Sequence, residues 1–366
     1  LFPEAPVYTL LARPEALAPP LTQRRLHTSW LQALHRVPDL QRKSMPVMTL
    51  AARSLDTHEH DIVICSDAAT IKAIRTRPDA LKLCYCHSPV RYVWDLYEEY
   101  LRTAGPVGRI GLRLFAPAVR RADRRAADTV TAFVANSYCV AERIARCYDR
   151  PSVVIPPPVD VDGIELGDSP GDFYLVVGEH VHYKRNDLAI EACNRLGAPL
   201  VVIGGGPGLA RMRALAGPSV RVLGWQPDDV VRDHLRRCRA LLFCGLEDFG
   251  IVPVEAQAAG RPVIAYRAGG ALETVRDGET GIFFDEQTVD SVVEAIRRFE
   301  AASLWRPEEI RRHAGQFSVE RFRERFMQFY TWCLERWRAG GPEAVREAMV
   351  KSAGGVCAAV IPWQAG

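Results

Sequence analysis

From about residue 151 the chain alternates short apolar runs with stretches of helical period. The runs are FYLVVG, PLVVIG, VRVLG, ALLFC, PVIAY and GIFF. Each is short, rich in branched or aromatic residues and bounded by turn residues, which predicts a strand. Strands and helices in strict alternation predict a parallel sheet with helices on both faces. Ligands of such sheets bind beyond the carboxyl ends of the strands. Asn186 and Asp187 are placed to open one helix, and Pro207, Pro227 and Pro253 lie near the starts of others, where a missing N–H costs least.

The first half is less regular. DIVICS, LKLCYC and TAFVANS predict strands, each followed by a helical pattern, so a second doubly wound domain is expected. The three consecutive prolines of VIPPPVDVDG make a stiff, extended connection. The predicted division is an N-terminal domain over 1–153, a linker over 154–163 and a C-terminal domain over 164–316. A long amphipathic helix opened by Ser318 covers 317–340 and is expected to cross back to the first domain. The tail, 341–366, carries no clear pattern and is expected to be poorly ordered or loosely docked. LFPEAPVYTL reads as the end of a helix followed by a strand, with no methionine and no strand, glycine loop and helix before it. The first β-α unit therefore reads as missing.

Size and composition narrow the class. At 366 residues two domains are expected. A net charge of +3 gives no argument for a nucleic-acid partner. No apolar run approaches the roughly 20 residues of a membrane-spanning helix, and no signal peptide opens the chain. Most of the ten cysteines sit inside apolar runs, which reads as buried, reduced thiols in a cytosolic protein. The 47 basic residues divide into 42 Arg and 5 Lys, and between Lys82 and Lys351 only Lys184 remains. A compact ammonium kept there, in YKRND, suits a phosphate.

The candidate chemistry gathers on the carboxyl edge of the second sheet. In LEDFGIVPVEAQAAG, Glu247 lies on a loop and Glu255 in the first turn of a helix that Pro253 begins. Taken singly, Glu247 is a solvated loop acid and Glu255 an ordinary dipole-compensating glutamate. Together with Gly250, Pro253 and the following AAG-x-PVIA they read as two ligand clamps, since carboxylates accept bonds from paired hydroxyls. The N–H groups around Phe249 to Val254 belong to the loop and first helical turn, where several lack intrahelical partners, and the helix dipole points the same way, which makes an anion site suited to a diphosphate. Lys184 lies on the same edge, and the glycines of VVIGGGPG, Gly205 among them, let a base or ribose approach the backbone. That glycine run fits neither the G-x-G-x-x-G fingerprint nor a P-loop. AGGALETV is a fourth turn on the edge.

The block EDFGIVPVEAQAAGRPVIAYRAGGALETVRDGETGIFF resembles the signature of retaining family 4 glycosyltransferases with the GT-B fold, whose E-x7-E motif is met by Glu247 and Glu255. YKRNDLAIEA, VVIGGGPG and VRVLGW follow that family's order. CYCHSPVRYVWDLYEEY and FVANSYCVAERI are similar to a mannosyltransferase-like branch acting in bacterial surface polysaccharide assembly. The resemblance, over roughly residues 1–335, implies two Rossmann-like parallel-sheet domains facing a central cleft. It implies that Glu247 contacts the donor sugar, that Phe249, Gly250 and Ile251 offer N–H groups to sugar and diphosphate, and that Glu255 binds the ribose. Lys184 would neutralise the leaving diphosphate. His87 would face the transferred sugar from the other domain, although a lone His before Ser-Pro is by itself more often structural. Arg185 and Gly205 complete the donor-binding set. One position departs from the pattern: the family usually has Arg five positions before the lysine, and this chain has Glu179, which repels a diphosphate unless it turns away or pairs with Arg185. His180 and His182 lack a third ligand, so no metal is expected.

The expected reaction is hexosyl transfer from a nucleotide diphosphate sugar, GDP-mannose favoured, to a saccharide or lipid-linked saccharide, without cofactor. Residues 109–125 place Ile110, Leu112, Leu114, Phe115 and Val119 among six arginines, which suits an anionic membrane surface as well as a core helix with a basic face. The protein is thus expected to be cytoplasmic, peripheral on the inner face of the cell membrane. A degenerate, non-catalytic sugar-nucleotide binder is the alternative that Glu179 supports. A nucleotide-sugar epimerase, or a phosphorylase with a cofactor lysine that is not found, shares the architecture.

Overall fold

The computed structural model describes residues 1–13, 17–34, 47–167, 169–302, 305–354 and 360–362. They divide into two compact units, one of Leu1–Ile155 with Arg325–Gly366 and one of Pro156–Glu324. In the first unit β1 (Val7–Thr9) and β2 (Leu26–Thr28) pair in a small parallel sheet of their own. β3 (Ile62–Asp67), β4 (Leu81–Cys86), β5 (Ala132–Ala135) and β6 (Ser152–Val154) form the main sheet. The second unit holds β7 (Tyr174–Val177), β8 (Leu200–Ile203), β9 (Val220–Gly224), β10 (Ala240–Phe243), β11 (Val263–Tyr266) and β12 (Gly281–Phe284). β13 (Val360–Pro362) returns to pair with β6, so the sheet orders are β13-β6-β5-β4-β3 and β12-β11-β10-β7-β8-β9, parallel throughout.

The apolar runs become strands because both faces of the second sheet are covered. Leu175, Val201, Ile203, Leu241 and Phe243 enter one core. Their neighbours Tyr174, Val176, Leu200, Val202 and Leu242 enter the other. Side chains alternate across a strand, so a strand covered on both sides must be apolar at every position. Of the cysteines, nine are free thiols and eight of those are buried; Cys357 lies outside the described residues. No described helix is long and apolar enough to cross a membrane.

Several expectations are corrected. The first residues form a turn, not a helix end. β3 is followed by a 3-10 turn, Ile71–Ala73, where a helical pattern was expected. The proline-rich segment is no free linker: Val154 belongs to β6, and Val159, Val161 and Ile164 are buried in the second unit's core. Val159 N–H donates to Phe317 O at 2.9 Å, and Arg311 donates to Val161 O and Ile164 O. The tail is not patternless either. The last helix runs Val319–Ser352, interrupted at Gly340 and Gly341, whose backbone is non-helical ahead of Pro342. Beyond that break Val345 and Met349, four apart, are buried. Ser318 opens the helix as expected, its Oγ accepting from Arg321 N–H at 3.3 Å.

A charged network closes the core of the first unit. Lys72, fully buried, donates to Asp67 Oδ2 at 2.9 Å and lies 2.7 Å from Asp123 Oδ1. Trp94 Nε1 and Tyr148 Oη both donate to Asp123 Oδ2 at 2.8 Å. Every strong acceptor is used, which is the condition for burying three charges. Asp123→Ala would leave two donors without an acceptor and Lys72 with one carboxylate in place of two, so it is expected to lower unfolding stability by about 3–5 kcal/mol, read from urea denaturation curves.

Candidate functional site

The site is built from the turns that leave the carboxyl ends of the second sheet. After β7 the chain makes a tight turn and a 3-10 segment, His182–Lys184. After β10 it passes so close that a Cβ on Gly245 would lie 2.7 Å from Lys184 Cα. Leu246 N–H donates to Tyr183 O at 3.3 Å across this contact. The result brings together two residues 63 positions apart: Lys184 Nζ lies 3.0 Å from Glu247 Oε1, both side chains partly buried. The turn after β11 braces the acid from the other side, with Gly270 N–H donating to Glu247 O at 2.9 Å.

Beyond Glu247 the chain turns into the helix Ile251–Ala258, which starts two residues before Pro253. Its N-cap, Gly250, has φ of 86°, a conformation that other residues adopt only with strain. Among the described residues the N–H groups of Phe249, Gly250 and Ile251 have no protein acceptor. The Phe249 ring is core, packed 5.5 Å from Phe317, whereas the Ile251 side chain is exposed. Glu255 falls in the second turn of this helix, not the first as expected, because the helix begins earlier. Burial raises its pKa, against the opposing influence of Arg232, with Asp228 adding to the rise.

The neighbours sort differently from expectation. Arg185, with φ of 48°, pairs with Asp187 at 3.3 Å and not with Glu179. As expected, Asn186 and Asp187 open a helix, Asn186–Leu196; the Asn186 amide meets His180 Nδ1 at 2.9 Å. His180 is a buried structural residue, and burial lowers its pKa. Glu179 is exposed and leans over the glycine turn, since a Cβ on Gly206 would lie 2.6 Å from its Cγ. Gly205 O accepts from His180 N–H at 2.7 Å, so the turns after β7 and β8 are tied backbone to backbone.

His87 belongs to the first unit, just beyond β4. Its Nε2 lies 2.8 Å from Ser66 Oγ at the end of neighbouring β3. Burial lowers its pKa, partly opposed by Asp67, so the imidazole is neutral at pH 7. The sequence reading missed Ser66; the signal available was its place at the end of a strand beside the histidine's own. It also missed a set of bulky apolar residues left exposed on the turns of the second sheet: Trp225, Leu246, Ile251 and Leu272. Large apolar residues inside turn segments were the available signal.

Two doubly wound parallel-sheet units, the second with a cation, a carboxylate and unpaired N–H groups on one strand edge, define a protein of the GT-B class. The comparisons agree. Residues 165–317 match the family model described as glycosyl transferases group 1, and that segment of the chain belongs to this family. A D-inositol 3-phosphate glycosyltransferase of Geodermatophilus obscurus is 30% identical over 60% of this chain and 56% of its own length. A GDP-mannose-dependent alpha-(1-6)-phosphatidylinositol monomannoside mannosyltransferase of Mycobacterium tuberculosis is 39% identical over 27% of this chain and 29% of its own. The chain thus spans about half the length of the first and under a third of the second. Among solved structures, sucrose-phosphate synthase from Thermosynechococcus elongatus superposes with a TM-score of 0.64 at 16% identity, over 85% of this chain and 84% of that one, which shows the shared fold.

The raised pKa of Glu255 has a signed consequence. The folded state favours the protonated acid, so a stability penalty is absent below the ordinary carboxyl value of 4.5 and complete above the raised one. Glu255→Gln is expected to raise the thermal unfolding midpoint at pH 7.5 and leave it unchanged at pH 4, measured by calorimetry.

Proposed function

We propose that the protein is a retaining glycosyltransferase that moves a hexose from a nucleotide diphosphate sugar to an acceptor hydroxyl. The observation that carries the reading is the convergence of Lys184, Glu247 and the unpaired N–H groups of Phe249, Gly250 and Ile251 on one strand edge. A diphosphate leaving group carries its developing charge where an ammonium and aligned N–H groups stabilise it. Lys184 supplies the point charge, the helix start at Ile251 the dipole, Glu247 the contact to sugar hydroxyls and Glu255 the contact to the ribose. Arg185 and Gly205 shape the nucleotide end. His87 holds the corresponding strand edge of the first unit, the acceptor side. The bond from the anomeric carbon to the phosphate oxygen breaks as the acceptor oxygen bonds on the same face. The departing phosphate takes the acceptor's proton, so no enzyme nucleophile is needed.

GDP-mannose is the preferred donor, supported by the resemblance to the mannosyltransferase branch and by the GDP-mannose dependence of the mycobacterial relative. The acceptor is a saccharide or lipid-linked saccharide. The test is transfer and hydrolysis assayed with a panel of nucleotide sugars. Lys184→Ala is expected to lower kcat by roughly 100- to 1,000-fold, and Glu255→Ala to weaken donor affinity. Unchanged donor affinity and turnover in both variants would overturn the assignment. The exposed carboxylate of Glu179 favours the second reading, a sugar-nucleotide binder without turnover, and donor binding with no product from any nucleotide sugar would select it.

A peripheral membrane contact fits the helix Pro106–Asp128 of the first unit. Val107, Ile110, Leu114 and Phe115 are 85%, 61%, 70% and 60% exposed at helical spacing. The guanidiniums of Arg120 and Arg124 lie over the Trp94 ring, and Arg109, Arg113 and Arg121 are exposed beside the apolar stripe. Such a face suits an anionic lipid surface. The protein is expected to float with phosphatidylglycerol-containing liposomes and Ile110→Ser/Phe115→Ser to remain in the pellet; flotation of both alike would remove the contact.

A further inference from the structure

The first unit holds a second convergence of cations, which the transfer chemistry does not use. Its foot is Lys82, the second residue of β4, only 1% exposed. Lys82 Nζ donates to Ile74 O and to Thr129 Oγ1, each at 2.9 Å, and both acceptors are neutral. Lys72, by contrast, is held by two carboxylates. Among the described residues Lys82 has no ion pair, and Asp67, whose charge reaches it, is already bonded to Lys72.

Lys82 forms part of the wall of a cavity of about 540 Å³, within the size range of small-molecule sites. Arg53, Arg75, Arg125 and Arg346 line it as well, and no described carboxylate does. Arg53 and Arg125 make no ion pair among the described residues, and the contact from Arg75 to Asp56 is long, at 3.7 Å. Arg346 is anchored through Nη2 to Asp128 O at 3.1 Å and pairs through Nη1 with Glu343 at 3.3 Å, yet its Nε is buried without an acceptor. Like charges gathered round a half-closed cavity raise one another's cost, and a ligand of opposite sign removes that cost. Guanidinium forks and a point-charge ammonium together match an oxyanion with several free oxygens.

We propose that this cavity binds a phosphate-bearing anion. Lys82 stands near the amino end of β4 and Thr131 directly before β5, whereas His87 follows the opposite end. Lys82 and His87 are five positions apart, about 16 Å at strand rise. The cavity therefore lies at the strand end opposite the one that His87 follows, and the inference stands without the transfer reaction. The phosphate arrives either on a soluble metabolite or on a lipid headgroup.

Calorimetric titration of the full chain with pyrophosphate, at ionic strength held constant with sodium chloride, tests this. Lys184→Ala removes binding at the second unit's edge and is expected to retain the cavity's binding. Adding Arg53→Gln and Arg125→Gln, both exposed positions, is expected to weaken that remaining binding at least about tenfold, with the ligand-free melting midpoint unchanged. Lys82→Met is expected to abolish it, and should that variant not fold, the arginine pair decides. Loss of all pyrophosphate binding in Lys184→Ala alone, or no change on adding the arginine pair, overturns the proposal. Flotation with phosphatidylcholine vesicles containing phosphatidic acid separates the sources. Flotation that pyrophosphate competes away and the arginine pair abolishes assigns a lipid headgroup. Flotation absent or indifferent to both, with pyrophosphate binding intact, assigns a soluble phosphate.

Discussion

The second unit depends on how closely two turns can pass. A side chain at residue 245 would run into the backbone of Lys184, and its absence lets the turn after β10 lie directly on the turn after β7. These two strands are neighbours in the sheet order, although three helices and two strands separate them along the chain. Everything at the edge follows from the contact. It sets Lys184 beside Glu247, fixes where the loop must turn at Gly250, and so decides which N–H groups the next helix leaves unpaired. A rigid sheet carries the position, and the turns carry the chemistry.

The uneven use of Arg and Lys has a structural cause as well as a chemical one. Arginine serves this chain as a clamp on backbone carbonyls. Arg150 donates to Ala127 O, Val130 O and Thr131 O, Arg261 to Arg236 O and Ser169 O, and Arg311 to Val161 O, Ile164 O and Ala258 O. A planar fork reaches two or three such oxygens at once, which an ammonium on a single stem does less well. The lysines that remain stand where a compact charge is required. Lys72 is buried between two aspartates, Lys82 sits at the foot of the basic cavity, and Lys184 meets Glu247. Lys351 is an exposed exception, and Lys43 lies outside the described residues.

The strands were legible because burial on both faces writes them as continuous apolar runs, and TAFVANS or ALLFC has no other economical use. Segments whose burial is one-sided were not. Val159, Val161 and Ile164 alternate with Asp160 and Asp162, so a segment packed on one face read as an extended linker. Val345 and Met349 bury a single narrow stripe, too sparse to predict a helix beyond Gly341. Within the site, the residue types of LEDFGIVPVE were readable, but the helix register was not. Pro253 suits a first turn at any of its early positions, and the two-residue difference moves Glu255 into the second turn. The pairing of Lys184 with Glu247 and of His87 with Ser66 depends on strand order, which no local pattern records.

The edge as it stands is electrically closed on itself. Lys184 and Glu247 satisfy one another, Arg185 is held by Asp187, and Glu179 lies exposed over Gly206. On the function proposed above, a diphosphate entering here would compete with Glu247 for the ammonium, while the sugar would offer Glu247 hydroxyl donors in exchange. The pair would then be a placeholder that matches both ends of the donor, and a nucleotide lacking the sugar would replace only half of it. On that proposal the contact would favour the intact donor over free nucleotide, because releasing Glu247 without a hydroxyl partner leaves a partly buried carboxylate unpaired. Glu179 does not share in that discrimination: exposed over Gly206, it would repel the phosphates of donor and free nucleotide alike, through a charge that water and salt screen.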